Sequence, residues 1–404
     1  MRVLQIDVNY DDSSTGKIVK DLQIGLESYQ HQVRCCYGRD TKNSPSNAIK
    51  ISSNIEVNVH AALTRMTGLT GIYSPVATKR LIAEIEEFKP DIIHLHELHG
   101  YYINIYQIIQ YLKSRQIPVV WTFHCEFMYT GKCGHAHECN RWQDKCGSCP
   151  QLSEYPRSLL LDYTALMLRQ KQEAFEDFDL LKIITPSNWL AQRVRQSFLR
   201  NKNIDTIYNG IDVEIFRPME AATLRAKHEI KTSHVLLAIA PNLLSEAKGG
   251  EWVLELARRM RKDDVTFIMI GVDDPAAISA PNIIALPRIS DKEVIAEYYS
   301  LADFTLLTSK KETFSLICAE SLACGTPIIG FDAGAPTEVA PPGFGNFVNY
   351  GDIDLLHEAV KSALANRPNH KSGTDCFEFA KRNYSKERMI ESYMTEYKLL
   401  LGMR

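Results

Sequence analysis

The chain has 404 residues, 45% of them hydrophobic and 24% charged, with a formal net charge of −3. That length exceeds one comfortable core and implies two domains of about 200 residues each, with the composition of a soluble globular protein. The near-neutral charge argues against nucleic acid as a partner, which would call for a basic footprint, and the lack of a long apolar run or a signal-peptide pattern makes a cytoplasmic location the expectation.

The elements alternate. Residues 3–8 read as a first strand and 18–29 as the helix after it, followed by strands at 33–37, 92–96 and 119–123. A helix at 106–114 lies between the last two, and 180–185 reads as the final strand of the first half. A second series begins near 204–208 and continues at 235–239, 265–270, 283–286, 304–308 and 327–331, with helices at 252–260 and 314–324. Strands alternating with helices imply an α/β protein with parallel sheets covered on both faces. The turn signal Asn209-Gly210 lies near the midpoint. The expected division is an N-terminal Rossmann-like domain over 1–205 with a cysteine-rich loop at 125–150, and a second over 206–384. A terminal amphipathic helix at 385–404 is expected to pack back on the first. No internal repeat is visible in the sequence.

Two carboxylates carry the most information. Glu312 falls in the turn after the strand at 304–308, and Glu320 falls about two turns inside the helix that follows. Ligands of open α/β sheets bind at the carboxyl ends of strands, so the pair can hold hydroxyls at the two ends of one ligand. The N–H groups of Thr313, Phe314 and Ser315 would cradle a phosphate between them. The segment 240–250 adds Lys248-Gly249-Gly250 at another strand-to-helix turn. A cation and close backbone there suit a phosphate, although on this segment alone a solvated turn lysine with a flexible glycine pair is the more frequent case. No Walker-type or dinucleotide glycine fingerprint is present, which argues against a P-loop nucleotidase and a typical dinucleotide oxidoreductase.

In the first half, the polar loop 9–17 contains Gly16. It reads either as a Ser- or Thr-capped helix start or as a source of N–H groups for a ligand. His124 closes a strand and is either a structural or a site histidine. His94 and His96 alternate onto one face, and with His99 they could form a metal trio, an acceptor contact or simple packing.

The ordered set of Asn209-Gly-Ile-Asp212…Phe216-Arg-Pro218, Lys248-Gly249 and Glu312-x7-Glu320 resembles family 4 glycosyltransferases, over essentially the whole chain. The first-half segments 91–100, 121–124 and 130–150 look like a subgroup that builds bacterial exopolysaccharide, capsule or O-antigen, of colanic-acid type. The resemblance implies a retaining GT-B enzyme, two Rossmann-like domains facing a cleft, with no catalytic metal. It implies a UDP- or GDP-linked sugar as donor and a saccharide or lipid-linked saccharide as acceptor. Glu312 would contact the donor sugar, Glu320 the ribose, Lys248 the pyrophosphate, and His124 the sugar near the reacting carbon. Such enzymes commonly carry an arginine shortly before the Lys-Gly pair. Here Asn242 stands in that region, so Asn242 itself, Arg288 or Lys310 would have to compensate. Position 125, often Asp, is Cys125. A nucleotide-sugar epimerase or phosphorylase on the same fold, or a non-catalytic zinc-stabilised sugar-binding protein, are the alternatives.

Cys133, Cys139, Cys146 and Cys149 cluster in one polar loop. In a reducing compartment that favours structural zinc over disulfides, with free thiols or an iron–sulfur cluster as alternatives. Residues 189–202 are basic with apolar residues at helical spacing. They suit either peripheral contact with the inner membrane or a half-buried helix.

Overall fold

The computed structural model describes residues 1–39, 45–365 and 371–403. Its contacts divide the chain into two units, Met1–Tyr208 with Met389–Arg404, and Asn209–Arg388.

The first unit holds a seven-stranded sheet of β1 (Arg2–Asp7), β2 (Gln32–Tyr37), β3 (Ala48–Lys50), β4 (Ile92–Leu95), β5 (Val119–Thr122), β6 (Leu181–Thr185) and β7 (Asn203–Thr206). The spatial order is β3-β2-β1-β4-β5-β6-β7, and every neighbouring pair is parallel. The central strands β4, β5 and β6 are buried at every residue because both faces are covered. Leu4, Ile6, Ile93, Leu95, Val119, Trp121 and Ile183 enter one core. Val3, Ile92, Val120 and Ile184 point into another, as the two-residue period requires. The second core is completed by the helix Lys386–Leu400, whose Ile390, Tyr393 and Tyr397 pack there. Tyr393 Oη lies 2.9 Å from Thr122 Oγ1, and Tyr397 Oη lies 2.6 Å from His94 Nδ1. Gly25 makes this docking close: a Cβ there would stand 2.3 Å from Ile390 Cδ1.

The second unit holds β8 (His234–Ile239), β9 (Val265–Ile270), β10 (Ile283–Leu286), β11 (Phe304–Leu307), β12 (Ile328–Phe331) and β13 (Gly345–Val348). Their order, β10-β9-β8-β11-β12-β13, repeats that of the first six strands, again all parallel. In each sheet the order reverses beside its first strand, between β1 and β4 and between β8 and β11. Such reversals open a crevice at the carboxyl ends, because the connections on either side run to opposite faces.

Two expectations need correction. The segment at 204–208 does not open the second series: β7 pairs with β6, Ile183 lying opposite Ile204, so it closes the first sheet. Its single inward residue between Asn203 and Asp205 is the pattern of a polar edge strand. The glutamate helix begins at Leu316, not 314, so Glu320 lies little more than one turn inside it. The short strands β3 and β13 and the helices Asn54–Thr67 and Pro75–Phe88 were not anticipated from the sequence.

Candidate functional site

In the second unit the crevice between β8 and β11 is built by the loops leaving those two strands. The loops are stitched together by backbone: Lys310 N donates to Ala247 O at 2.9 Å, and Thr308 Oγ1 donates to Lys248 O at 3.0 Å. Gly249 permits the approach, with φ 68° and the Thr308 carbonyl 2.3 Å from where a Cβ would sit. It precedes the helix Gly250–Arg259. Across this seam Lys248 Nζ lies 2.6 Å from Glu312 Oε1, with the two side chains 30% and 16% exposed. Glu312 is fixed from its other side by the loop after β12: its N–H donates to Ala333 O at 2.9 Å, and its carbonyl accepts from Ala335 N at 3.2 Å. Three loops therefore converge on one residue, Glu312.

Ser315 caps the helix Leu316–Ala323, its Oγ accepting from Cys318 N at 3.4 Å. It is a buried non-glycine residue at φ 84°, ψ 88°. Left-handed strain of this kind is retained where the surroundings force it, most often at functional sites. Phe314 is buried edge-on to Tyr384, the ring centroids 5.6 Å apart, while Thr313 is partly exposed. Glu320 Oε2 accepts from the buried Tyr299 hydroxyl at 3.2 Å. Burial, reinforced by the Glu320 charge, pushes the Tyr299 phenol well above its ordinary range, so it remains a donor.

Lys248, Glu312 and the Thr313–Ser315 turn are thus brought together, with Glu320 one helical turn beyond. Asn242 is exposed and uses its carbonyl to close a turn, accepting from Ser245 Oγ at 2.8 Å. Arg288 is exposed just beyond the edge strand β10, two strands away from the crevice. Lys310 pairs with Glu246 at 3.0 Å.

In the first unit the corresponding crevice lies between β1 and β4. Asp7, which the sequence reading missed, ends β1 and accepts from Glu97 N at 2.9 Å and Thr15 Oγ1 at 3.2 Å. Burial raises its carboxyl to about 7. Its signal was present in the sequence as a lone acid closing an apolar strand. Gly16 is buried in the first turn of the helix Ser13–Ser28, and its N–H is taken by Ser13 Oγ at 3.3 Å. That hydrogen bond caps the helix start from within the loop.

His124 Nε2 lies 3.1 Å from His96 Nδ1, and the rings stack at 5.3 Å. His96 continues to Gln5 Oε1 at 3.3 Å, and His94 Nε2 lies 2.8 Å from Thr122 Oγ1. Burial lowers His124 to about 4 and His94 and His96 well below their ordinary range, so this chain of imidazoles is neutral. His99 does not join them, which corrects the histidine trio. Its Nδ1 lies 2.6 Å from Glu97 Oε2, with Cys125 Sγ 3.8 Å from its Nε2. Among the described residues, Glu97, His99 and Cys125 are the three whose ligand-type atoms lie within 4.8 Å of one another. Burial works against both charges of that pair. Their mutual attraction wins, holding Glu97 at about 2 and His99 well above its ordinary value.

The four clustered cysteines line one small cavity together with Thr130, Lys132 and Trp142. The basic segment 189–202 turns its apolar residues inward. Leu190, Ala191, Val194 and Leu199 are buried, and Arg193 Nε donates to Glu126 Oε1 at 2.6 Å. Its apolar side is core, which removes the face that the membrane reading needed. Among the described residues no helix is long and apolar enough to cross a membrane.

A family model described as Glycosyltransferase Family 4 matches residues 15–215, and one described as Glycosyl transferases group 1 matches residues 220–382. Over its full length the chain is similar to WcaC of Escherichia coli (strain K12), named for colanic acid biosynthesis glycosyl transfer. The two are 25% identical over 424 residues, covering 99% of this chain and 100% of that protein. N-acetyl-alpha-D-glucosaminyl L-malate synthase of Bacillus anthracis is 26% identical over 206 residues, 49% of this chain and 54% of that enzyme. Among solved structures, sucrose-phosphate synthase from Thermosynechococcus elongatus shares the fold with TM-score 0.71 at 17% identity, over 99% of both chains. Anabaena Alr3699/HepE in complex with UDP-glucose does so with TM-score 0.66 at 13% identity, over 98% of this chain and 100% of that one. With two Rossmann-like parallel sheets of the GT-B class and a family match along each half, the chain belongs to glycosyltransferase family 4 and is a glycosyltransferase.

Proposed function

We propose that the protein moves a sugar from a UDP- or GDP-linked donor to a saccharide or lipid-linked saccharide acceptor, with retention at the anomeric carbon, in bacterial surface-polysaccharide synthesis. The observation that carries this reading is the 2.6 Å contact between Lys248 and Glu312 at the strand-order reversal of the second unit. An ammonium and a carboxylate side by side can divide one ligand, Lys248 taking a diphosphate oxygen while Glu312 accepts from sugar hydroxyls. The start of the helix Leu316–Ala323 adds backbone donors and the positive end of its dipole for the same phosphate. Glu320, one turn further on, is the acceptor for ribose hydroxyls.

As the glycosidic C–O bond breaks, the electron pair leaves with the nucleoside diphosphate. Lys248 and the helix start stabilise that charge more in the transition state than in the ground state. The acceptor hydroxyl attacks from the departing face and gives its proton to the leaving phosphate, so the configuration is kept and no enzyme nucleophile is needed. The chemistry asks for no metal ion. In the first unit we assign His124 as a neutral hydrogen-bonding partner for the sugar, in keeping with its lowered pKa of about 4. The full-length similarity to a protein named for colanic acid biosynthesis supports the polysaccharide context. UDP complexes of a protein with this fold support a nucleotide-sugar donor. A lipid-linked acceptor would have to be met by a surface other than residues 189–202.

The test is a thermal-shift and product screen with UDP- and GDP-sugars. Stabilisation by one nucleotide class, followed by a glycoside of unchanged anomeric configuration by NMR, is expected. Free epimer or sugar phosphate as the only product would overturn the reading.

A further inference from the structure

We infer that Cys133, Cys139, Cys146 and Cys149 bind one zinc ion through four thiolates, and that Lys132 and Lys171 are built into the fold as its counter-charges.

The segment that carries the cysteines needs such a staple. Residues 123–163 contain no strand and no α-helix, only the short turns Phe127–Tyr129 and Arg141–Gln143. Structureless runs of this length are uncommon inside a compact domain unless something else orders them. This run is ordered all the same: Phe127, Tyr129 and Trp142 are almost fully buried within it. All four cysteines line a single cavity of about 10 Å³, close to the volume of one small sphere.

The local backbone turns tightly around the last two cysteines. Cys146-Gly147-Ser148-Cys149 turns tightly, with φ 125° at Gly147 and φ 46° at Ser148. Arg141 Nη1 fastens this turn by donating to the Gly147 and Ser148 carbonyls, both at 2.7 Å. Backbone N–H groups of Gly131 and Gln151 point at the sulfurs of Cys146 and Cys149, and the Cys133 and Cys149 thiols are hydrogen-bonded to each other. N–H groups aimed at sulfur favour the thiolate, the form a metal binds, although the hydrogen bond from Cys149 together with burial raises the Cys133 thiol and burial raises that of Cys146. Among the described residues no three of these sulfurs stand within 4.8 Å of one another. Zinc binding therefore closes the set by rotation about the cysteine side-chain torsions, on a backbone already in place.

The lysines are the independent observation. Lys132 and Lys171 are each only 2% exposed. Lys132 Nζ donates to the carbonyls of Leu152, Glu154 and Pro156, and Lys171 Nζ to those of Phe127, Thr130 and Gly131. Among the described residues no carboxylate stands within ion-pair distance of either ammonium. Two buried cations held by carbonyl dipoles, with the Phe127 ring 3.6 Å from Lys171 Nζ as a further partner, are an expensive arrangement unless an anion balances them. The sulfurs come first among the groups around them: Cys133 and Cys149 act most on Lys132, ahead of Glu154 and Asp162, and Cys146, Cys125 and Cys133 act on Lys171. A divalent ion held by four thiolates is a dianion, and two ammoniums cancel it. The four thiol protons pass to solvent as the metal binds.

Metal content is read without any substrate, so this inference stands or falls separately from the donor reading. The purified full-length protein should contain one equivalent of zinc by elemental analysis. After removal and replacement by Co2+ it should show the intense visible bands of a tetrahedral thiolate site. Lys132→Met and Lys171→Met should each weaken zinc about tenfold or more in chelator competition, while Lys171→Arg, which keeps the charge, should weaken it less. Well under one equivalent of zinc, with no cobalt spectrum from the wild-type chain, sinks the site even if the cysteine variants fail to fold. Stoichiometric iron in its place overturns the choice of metal. Unchanged zinc affinity in both methionine variants overturns the role of the lysines.

Discussion

Lys248 and Glu312 meet at 2.6 Å across the seam between the loops that leave β8 and β11, sixty-four residues apart in the chain. Each neutralises the other, so neither is a stranded charge before a ligand arrives. A diphosphate would take over part of the lysine. Lys248→Ala should therefore weaken nucleotide-sugar binding by about 1.5–3 kcal/mol, the worth of a charge-assisted hydrogen bond, which is about ten- to a hundredfold in Kd. Glu312→Gln should leave the affinity for the bare nucleoside diphosphate within a few-fold and lower kcat with the intact donor. Calorimetry with nucleotide and with nucleotide sugar separates the two effects. Equal losses for both ligands in Glu312→Gln would contradict the assignment of that carboxylate to the sugar.

Tyr299 holds Glu320 through a 3.2 Å hydrogen bond and is itself fully buried. Tyr299→Phe removes the hydroxyl without changing the packed ring, so the fold should survive with a loss of about 1 kcal/mol. The freed carboxylate loses its orientation, and KM for the donor should rise several-fold while kcat stays nearly level. A fall in kcat at unchanged KM would place Glu320 elsewhere than on the ribose.

Gly249 is required by geometry at two levels. Its φ of 68° is a left-handed value, and a Cβ would sit 2.3 Å from the Thr308 carbonyl oxygen. Gly249→Ala must therefore open the seam between the β8 and β11 loops, with a stability cost of about 1–3 kcal/mol. Donor affinity should fall along with it, because Lys248 is the adjacent residue. Chemical denaturation and ligand titration of the same variant check both. A variant as stable as the wild type would show that the seam is not tightly packed.

The Glu97–His99 pair gives a pH signature. Glu97 is depressed from its ordinary 4.5 to about 2, so its contribution is present above 4.5 and is lost as pH falls towards 2. His99 is raised above its ordinary 6.5, so its contribution is complete below 6.5 and is lost as pH rises through the elevated value. The stability difference between wild type and Glu97→Gln should therefore be largest between pH 4.5 and 6.5, at about 2 kcal/mol. It should shrink on both sides in a scan of Tm against pH. A difference that is flat with pH would mean the two groups are not charged together.

Much of this was legible in the sequence. β9 and β10 fall where the apolar runs at 265–270 and 283–286 predict them, because strands buried on both faces carry their signal in consecutive residues. β7 was assigned to the wrong sheet, because one inward isoleucine between polar neighbours says nothing about which strand it pairs with. The glutamate helix was drawn too long because Phe314 fits the helical spacing. Nothing in the local sequence reveals that Ser315 takes a left-handed conformation and delays the start to Leu316.

The sequence by itself determined the class of the protein: alternating elements in two series, the residues Lys248, Glu312 and Glu320, and a set of four cysteines. These are properties of local pattern and side-chain chemistry, which the chain carries wherever it is placed. Only the tertiary structure decided the partnerships. Strand order put Lys248 against Glu312, a glycine-permitted approach fixed that distance, and His99 was paired with Glu97 instead of joining a row of histidines. Folding also buried two lysines beside the cysteines, with no carboxylate in ion-pair contact among the described residues. Contacts between residues distant in sequence depend on which strands pair and how closely their loops approach, and no periodicity within a single segment encodes that.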